Sequence, residues 1–192
     1  MIRLKDVKEK RKFGPTTIIA VIAIALFANF IIDEVQEESG STGFIPVELV
    51  KTIDGDTIKV IYEGKEQNLR YLLIDTPETN HPQLGKQPLG EKAKDRNNEL
   101  VKNGKIEIEF DIGERVDKYG RLLAYVYIDG ESVQEKLIEE GLARVGYVYP
   151  PNTRHLDSFE NAQDRAKEAG IGIWTLEDYV TERGFDSKTY KE

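Results

Sequence analysis

Three runs of β-branched and aromatic residues follow one another early in the chain: Ile45 to Ile53, Thr57 to Tyr62 and Asn68 to Ile74. Asp54-Gly55 and Glu63-Gly64 punctuate them. Apolar runs of strand length separated by such dipeptides are strands joined by tight turns, so the chain is committed to a three-stranded meander. A polar stretch from Gly90 to Asn103 then puts Ala93, Leu100 and Val101 on one helical face and stops at Gly104. Ile106, Ile108 and Phe110 alternate with Glu107, Glu109 and Asp111, which predicts a half-buried strand with its acids on the wet face. Leu122 to Ile128 reads as a strand buried on both faces, ended by Asp129-Gly130. Ser132-Val133-Gln134-Glu135 has the pattern of a capping box and opens a helix ending at Gly141. A last helix runs from Leu156 to Ala169 and stops at Gly170, and Trp174 is expected to pack back onto the body. Three strands, helix, two strands, helix, helix predicts an α+β, mainly β fold: a five-stranded Greek-key barrel of the OB type with three flanking helices.

Charge divides the chain further. Residues 1–14 carry a net +4, so the remainder of a chain of net charge −8 sums to −12. Pro15 to Ile32 follows as 18 residues without a charge, and Asp33, Glu34, Glu37 and Glu38 come directly after it. Basic head, apolar run and acidic exit make an export signal, and an apolar helix of about 27 Å approaches the thickness of a hydrocarbon core. Two readings stay open: an uncleaved signal-anchor that holds the protein to the membrane through 15–32, or a secretory peptide cleaved near Ala23-Ile24-Ala25 or Ala28. Both send the remainder outside, secreted or membrane-anchored; a buried core helix is the third reading. The expected organisation is a basic segment 1–14, an apolar helix 15–32, a flexible linker 33–43, a folded domain 44–174 and a polar tail 175–192.

Composition narrows the chemistry. The 192 residues include no cysteine and two histidines, which excludes disulfide frameworks, zinc-thiolate sites, cysteine nucleophiles and histidine cages. A catalytic metal would be held by oxygen and would be a hard ion such as Ca²⁺ or Mg²⁺. The acidic balance argues against a protein that coats nucleic acid by bulk electrostatics.

Acidic groups gather at strand ends, Asp54-Gly55-Asp56-Thr57 after the first run and Asp75-Thr76-Pro77-Glu78 after the third. Each alone reads equally as a turn or a cap. In a meander both reach one barrel rim, where convergent carboxylates repel unless a divalent cation compensates them. Arg70 lies in an apolar run, with an outer-face surface position as its default reading, and Arg121 ends Asp117-Lys118-Tyr119-Gly120-Arg121, which also reads as an exposed hairpin turn. Two guanidinium forks beside a divalent ion suit a pentavalent phosphoryl transition state. Tyr147-Val148-Tyr149 puts two rings on one side of an extended segment, either for stacking on bases or as two core tyrosines. His81 and His155 are read as loop residues.

These separated motifs, Ile53-Asp54-Gly55-Asp56-Thr57, Arg70 with Asp75-Thr76-Pro77-Glu78-Thr79, Asp117 to Arg121 with Leu123-Ala124-Tyr125, and Tyr147-Val148-Tyr149, occur in the order found in the thermonuclease, or staphylococcal-nuclease-like, family, which the chain resembles from about Phe44 to Trp174. The resemblance implies an OB-fold, Ca²⁺-dependent phosphodiesterase, an endonuclease cutting DNA and RNA to leave 3′-phosphates, and acting as a monomer. It assigns Asp56 and Asp75 as Ca²⁺ ligands with the Thr76 carbonyl, Glu78 as acceptor of the proton from the attacking water, and Arg70 and Arg121 as the phosphate clamp. Lys118 and Tyr119 would hold a neighbouring phosphate, and Tyr147 and Tyr149 would line the nucleotide pocket. Relatives often carry lysines in the loop after the Glu, whereas His81-Pro82-Gln83-Leu84-Gly85 has none before Lys86. The alternative is a non-catalytic nucleic-acid-binding OB module at the cell envelope.

Overall fold

The computed structural model describes residues 43–80, 85–186 and 190. The basic head, the apolar helix expected over 15–32, the linker up to Thr42, and His81 lie outside the described residues. The chain enters along β1 (Phe44–Pro46) and β2 (Glu48–Asp54), which are interrupted at Val47. There the strand changes partners. β1 pairs antiparallel with β6 (Ile106–Glu109), while β2 pairs antiparallel with β3 (Thr57–Tyr62), and Val47 N still donates to Ile106 O at 3.0 Å. Register shifts between Leu49 and Lys51 and between Thr52 and Asp54 mark bulges, which add the bend a strand needs to serve two partners.

β4 (Lys65–Tyr71) pairs antiparallel with β3 and parallel with β7 (Leu122–Ile128), and β7 pairs antiparallel with β6. The order β1-β6-β7-β4-β3-β2 therefore begins and ends on the same bent stretch of chain. The pairing traces a ring of five strands with β1 and β2 counted as one, an OB-like arrangement, and among the described residues three helices accompany it. Ile58, Val60, Leu69, Ile108, Ala124 and Val126 belong to its core, each at 0 % exposure.

α1 (Gly90–Lys102) buries Ala93 and Val101. α2 (Val133–Glu139) is capped by Ser132, whose Oγ accepts from Glu135 N at 3.2 Å, and the chain reverses at Gly141 with φ of +63°. A Cβ on Gly172 would stand 1.9 Å from Gly141 O, so the last turn can lie against the end of α2 only through that glycine. Ile173 N donates to the same Gly141 carbonyl at 2.8 Å. α3 (Leu156–Glu168) packs Phe159, Ala162 and Ala166 inward.

Three expectations change. The third strand stops at Tyr71 rather than Ile74, because Leu73 takes a left-handed φ of +64°. The chain resumes as β5 (Ile74–Asp75), which leaves the barrel and pairs antiparallel with β9 (Arg144–Val145). Next, Glu109 and Asp111 are not on a wet face. They are 9 % and 7 % exposed, because Arg154 and His155 at the entrance to α3 close over them. The expected tail is also partly folded. After β8 (Glu131–Ser132) and a 3₁₀ turn at Gly172–Thr175, β10 (Val180–Thr181) and β11 (Gly184–Phe185) form a hairpin, and Tyr179 is at 0 % exposure in a small cluster with Ile173 and Phe185.

His155, read from sequence as a loop residue, thus joins a buried network. Its Nε2 lies 3.0 Å from Glu109 Oε2, Tyr127 donates its hydroxyl to the same oxygen at 3.0 Å, and Arg154 pairs with Oε1. Burial opposes ionisation of Glu109, but the hydrogen bonds from His155 and Tyr127 and the Arg154 charge outweigh it and hold the carboxyl below its ordinary 4.5. A depressed carboxyl stabilises the fold above the unfolded-state pKa and loses that contribution as pH falls through the folded-state value. Glu109→Gln is therefore expected to cost about 2 kcal/mol at pH 7. In thermal melts the gap between variant and parent should close below pH 4.5; a gap constant down to pH 3 would contradict the assignment.

Candidate active site

Asp56 stands in the β2–β3 turn, and its packing, not its turn type, explains the preceding glycine. Gly55 has no left-handed φ; a Cβ there would lie 2.6 Å from Thr76 Oγ1 and 2.9 Å from the Ala93 methyl. The close approach brings Asp56 onto Thr76. Asp56 Oδ2 accepts from Thr76 N and from Thr76 Oγ1, both at 3.0 Å, while Oδ1 accepts from the Thr57 hydroxyl at 2.9 Å. Asn97, fully buried on α1, fixes the same turn by donating to Asp54 O at 2.8 Å and accepting from Tyr71 Oη at 2.8 Å.

Arg70 pairs with Thr57 across β3 and β4, and it is 9 % exposed, so the outer-face reading does not hold. Its Nη1 is 2.8 Å from Asp56 Oδ2, and its Nη2 is 3.7 Å from Asp75 Oδ1. Nη1 is nonetheless out of line for a hydrogen bond with any protein acceptor. A buried N–H without a hydrogen-bond partner is uncommon and marks this guanidinium as a functional candidate.

The break at Leu72-Leu73 carries Asp75 off the barrel to a place opposite Arg144. Arg144 Nε and Nη2 both lie 2.9 Å from Asp75 Oδ2. Burial pushes the Asp75 carboxyl above its ordinary value, Arg144 and Arg70 oppose the shift, and Asp56 adds to it. The two buried carboxylates share the Arg70 guanidinium, and oxygen is the only donor type they and the neighbouring Thr76 carbonyl offer. That set fits a hard cation such as Ca²⁺. Among the described residues no three acidic or histidine side chains gather into a metal cage, so water would have to complete the ligand shell.

Glu78, half-buried, follows on a loop held from α1's side. Its N donates to Gln87 Oε1 at 2.8 Å, its carbonyl accepts from Gln87 N at 3.0 Å, and a Cβ on Gly90 would lie 2.6 Å from that carbonyl. Burial first, then the neighbouring Asp54 carboxyl and the Asp56 charge, push Glu78 up to about 7, against a lowering by Arg70. A carboxyl poised there can accept a proton near neutral pH.

Tyr147 joins this cluster. Its ring lies 5.2 Å from the Arg70 guanidinium carbon and 6.5 Å from the Tyr149 ring, and the two tyrosines are 55 % and 69 % exposed. They are surface rings, not core. A separate group stands at the start of β7. Asp117 Oδ1 accepts from Tyr119 N and Arg121 N, and its Oδ2 accepts from Arg121 Nε at 2.7 Å. Tyr119 is 72 % exposed, with Lys118 Nζ at 5.0 Å and Arg121 Cζ at 5.5 Å from its ring. Arg121 makes no hydrogen bond or ion pair with Asp56, Asp75 or Arg70; it stands one residue before Leu122, the register partner of Leu69.

Residues 68–176 match the family described as Staphylococcal nuclease homologue. The chain belongs to that family. Over 142 residues it is 58 % identical to Endonuclease YncB of Bacillus subtilis (strain 168), covering 74 % of this chain and 67 % of the relative. Over 142 residues it is 57 % identical to the SPbeta prophage-derived endonuclease YokF of the same strain, of which it spans 48 %. The Thermonuclease of Staphylococcus hyicus is 43 % identical over 127 residues, 66 % of this chain and 74 % of the relative. The family match takes in Arg70, Asp75, Thr76, Glu78, the Asp117–Arg121 turn and both exposed tyrosines, while Asp56 lies upstream of it.

In this staphylococcal nuclease homologue, sequence reasoning missed Arg144, Asn97, Gln87 and the pairing of Asp54 with Glu78. Arg144 carried a usable signal, a lone arginine inside Leu142-Ala143-Arg144-Val145, the same signal that marks Arg70. Asn97 and Gln87 carried none, being polar residues in polar surroundings. Gly55→Ala is expected to destabilise the protein by about 1–3 kcal/mol, through the clash with Thr76 and Ala93. A melting temperature equal to the parent's would show that the turn yields freely.

Proposed function

We propose that the chain is an exported, Ca²⁺-dependent nuclease that hydrolyses phosphodiester bonds of DNA and RNA and leaves 3′-phosphates. The observation that carries this reading is the buried Arg70 between Asp56 and Asp75, with a charged N–H out of line for any protein acceptor. The names of the relatives, endonuclease and thermonuclease, point the same way.

Asp56, Asp75 and the Thr76 carbonyl would hold the cation, which when bound supplies Lewis-acid neutralisation of phosphate charge. Glu78 accepts a proton from water, whose oxygen bonds to phosphorus as the bond to the 5′-oxygen breaks. The pair of electrons leaves on that oxygen, which takes up a proton to become a hydroxyl. Arg70 offers its guanidinium to the non-bridging oxygens, where negative charge accumulates. Arg121 keeps Nη1 and Nη2 for the same phosphate while Asp117 holds its Nε. Tyr147 and Tyr149 offer rings for a base, and Lys118 and Tyr119 hold a neighbouring phosphate. The basic head and apolar run support export, with membrane anchoring through 15–32 where the segment is retained.

The test is cleavage of single-stranded DNA and RNA by the purified full chain in Ca²⁺, in Mg²⁺ and in chelator. Turnover is expected with Ca²⁺ alone, because Mg²⁺ demands a stricter octahedron than two carboxylates and a carbonyl impose. Binding without cleavage in Ca²⁺ would favour the non-catalytic module. Arg70→Lys and Arg121→Lys keep the charge and lose the fork, so each should lower kcat by about 10²-fold, and a normal kcat would remove that arginine from the clamp. Glu78→Gln should lower kcat strongly while Ca²⁺ affinity changes little; if calorimetry instead finds Ca²⁺ binding lost, Glu78 is a ligand and not the proton acceptor.

A further inference from the structure

The C-terminal hairpin lies beyond the family match, which ends at residue 176, yet it touches the candidate site on two sides. On the first side it stands against the Asp75–Arg144 pair. The Phe185 ring centroid is 5.8 Å from the Arg144 guanidinium carbon, and a Cβ on Gly184 would be 3.8 Å from Asp75 Oδ2. Gly146 also closes on the same pair, where a Cβ would be 3.1 Å from Asp75 Cβ and 3.2 Å from Arg144 Cζ. Arg144, at 8 % exposure, also reaches Val145 O through Nη1 at 3.3 Å. Its rotamer is therefore enclosed, with Nε hydrogen-bonded to Asp75 Oδ2 and Nη2 at 2.9 Å from the same oxygen. Asp75 Oδ1 is left toward Arg70, whose Nη2 stands 3.7 Å away.

The second side is the loop of Glu78. Tyr179, fully buried, donates its hydroxyl to Pro88 O at 2.7 Å. Pro88 follows Gln87, which bonds both the N–H and the carbonyl of Glu78. Asp186 N donates to Tyr179 O at 2.8 Å and closes the hairpin onto its own anchor. One short element thus reaches Asp75 through Arg144 and Glu78 through Pro88 and Gln87.

We infer that the β10–β11 hairpin, with Arg144, is a brace that positions the carboxylates of Asp75 and Glu78 for the Ca²⁺-dependent reaction. This rests on the nuclease reading above. Arg144 and Tyr179 are positioning residues; neither touches substrate. Arg144 selects which oxygen of Asp75 faces the cation, and Tyr179 fixes the loop that aims Glu78. Partners of this kind, one bond removed from a ligand, typically change metal affinity or activity by about 10- to 100-fold when lost.

Two substitutions separate the arms, each on the full chain with folding checked by circular dichroism. Arg144→Lys keeps the charge and loses the Nε hydrogen bond to Asp75 Oδ2, so calorimetry with CaCl₂ alone should find the Ca²⁺ Kd raised about tenfold, with KM for single-stranded DNA unchanged. Tyr179→Phe keeps the ring and loses one hydrogen bond. It should leave the Ca²⁺ Kd within about twofold of the parent and lower kcat at saturating Ca²⁺. A purely structural role would lower the melting temperature in chelator and move neither Kd nor kcat of the folded protein, and that result overturns the inference. Should either variant fail to fold, Phe185→Leu, which keeps an apolar side chain and removes the ring that lies beside both Arg144 and Tyr179, takes its place, with the Arg144 outcome expected and an unchanged Ca²⁺ Kd overturning it. A parent that binds Ca²⁺ but cleaves nothing defeats the nuclease reading and leaves the brace to the calcium titration. An active parent with both variants unchanged defeats the brace alone.

Discussion

A guanidinium shut away from water at Arg70 needs carboxylate partners, and the placement of the rest of the site follows from that requirement. Removing one member of a buried ion pair strands its partner and typically costs about 3–5 kcal/mol. Asp56 and Asp75 supply the partners from two different segments, one in the β2–β3 turn and one beyond the break after β4. The register of Arg70 opposite Thr57 brings the first within reach, and the departure of β5 from the barrel brings the second. Arg144 adds a second buried cation on the far side of Asp75. The network thus ties the barrel to β9 and, through Arg144, to the hairpin at the end of the chain.

Two acidic clusters in the same domain are treated in opposite ways. Glu109 and Asp111 are buried, yet hydrogen bonds and the Arg154 charge hold both carboxyls below their ordinary values. That cluster is satisfied, and its contribution is to stability. Asp75 and Glu78 are pushed upward by burial and by their acidic neighbours despite the nearby arginines. Carboxyls crowded and raised in this way gather at functional sites more often than in purely structural clusters.

Much of the scaffold was legible in advance because it rests on local pattern. Thr57–Tyr62 and Leu122–Ile128 are strands over the very residues their β-branched runs mark, and Ser132 caps α2 as its side chain allows. The errors share one cause. The break at Leu73, the burial of Glu109 and Asp111, and the folding of Tyr179 and Phe185 each depend on a partner far along the chain: β9, the entrance to α3, and the carbonyl of Pro88. Alternation along a strand tells which residues share a face, but not what later covers that face.

The same division holds for the site. By itself the sequence determined the kinds of chemistry available: oxygen donors without cysteine, two acidic turn motifs, an arginine among apolar neighbours, and paired tyrosines. Its motifs, read together, also determined the family. Only the tertiary structure decided that Arg70 faces inward between two aspartates, and that Arg144 and the C-terminal hairpin stand beside Asp75. The reason is that identity and spacing are local properties of a chain. The burial that makes a charge demand partners, and the choice of those partners, arise only when segments distant in sequence enclose the same volume.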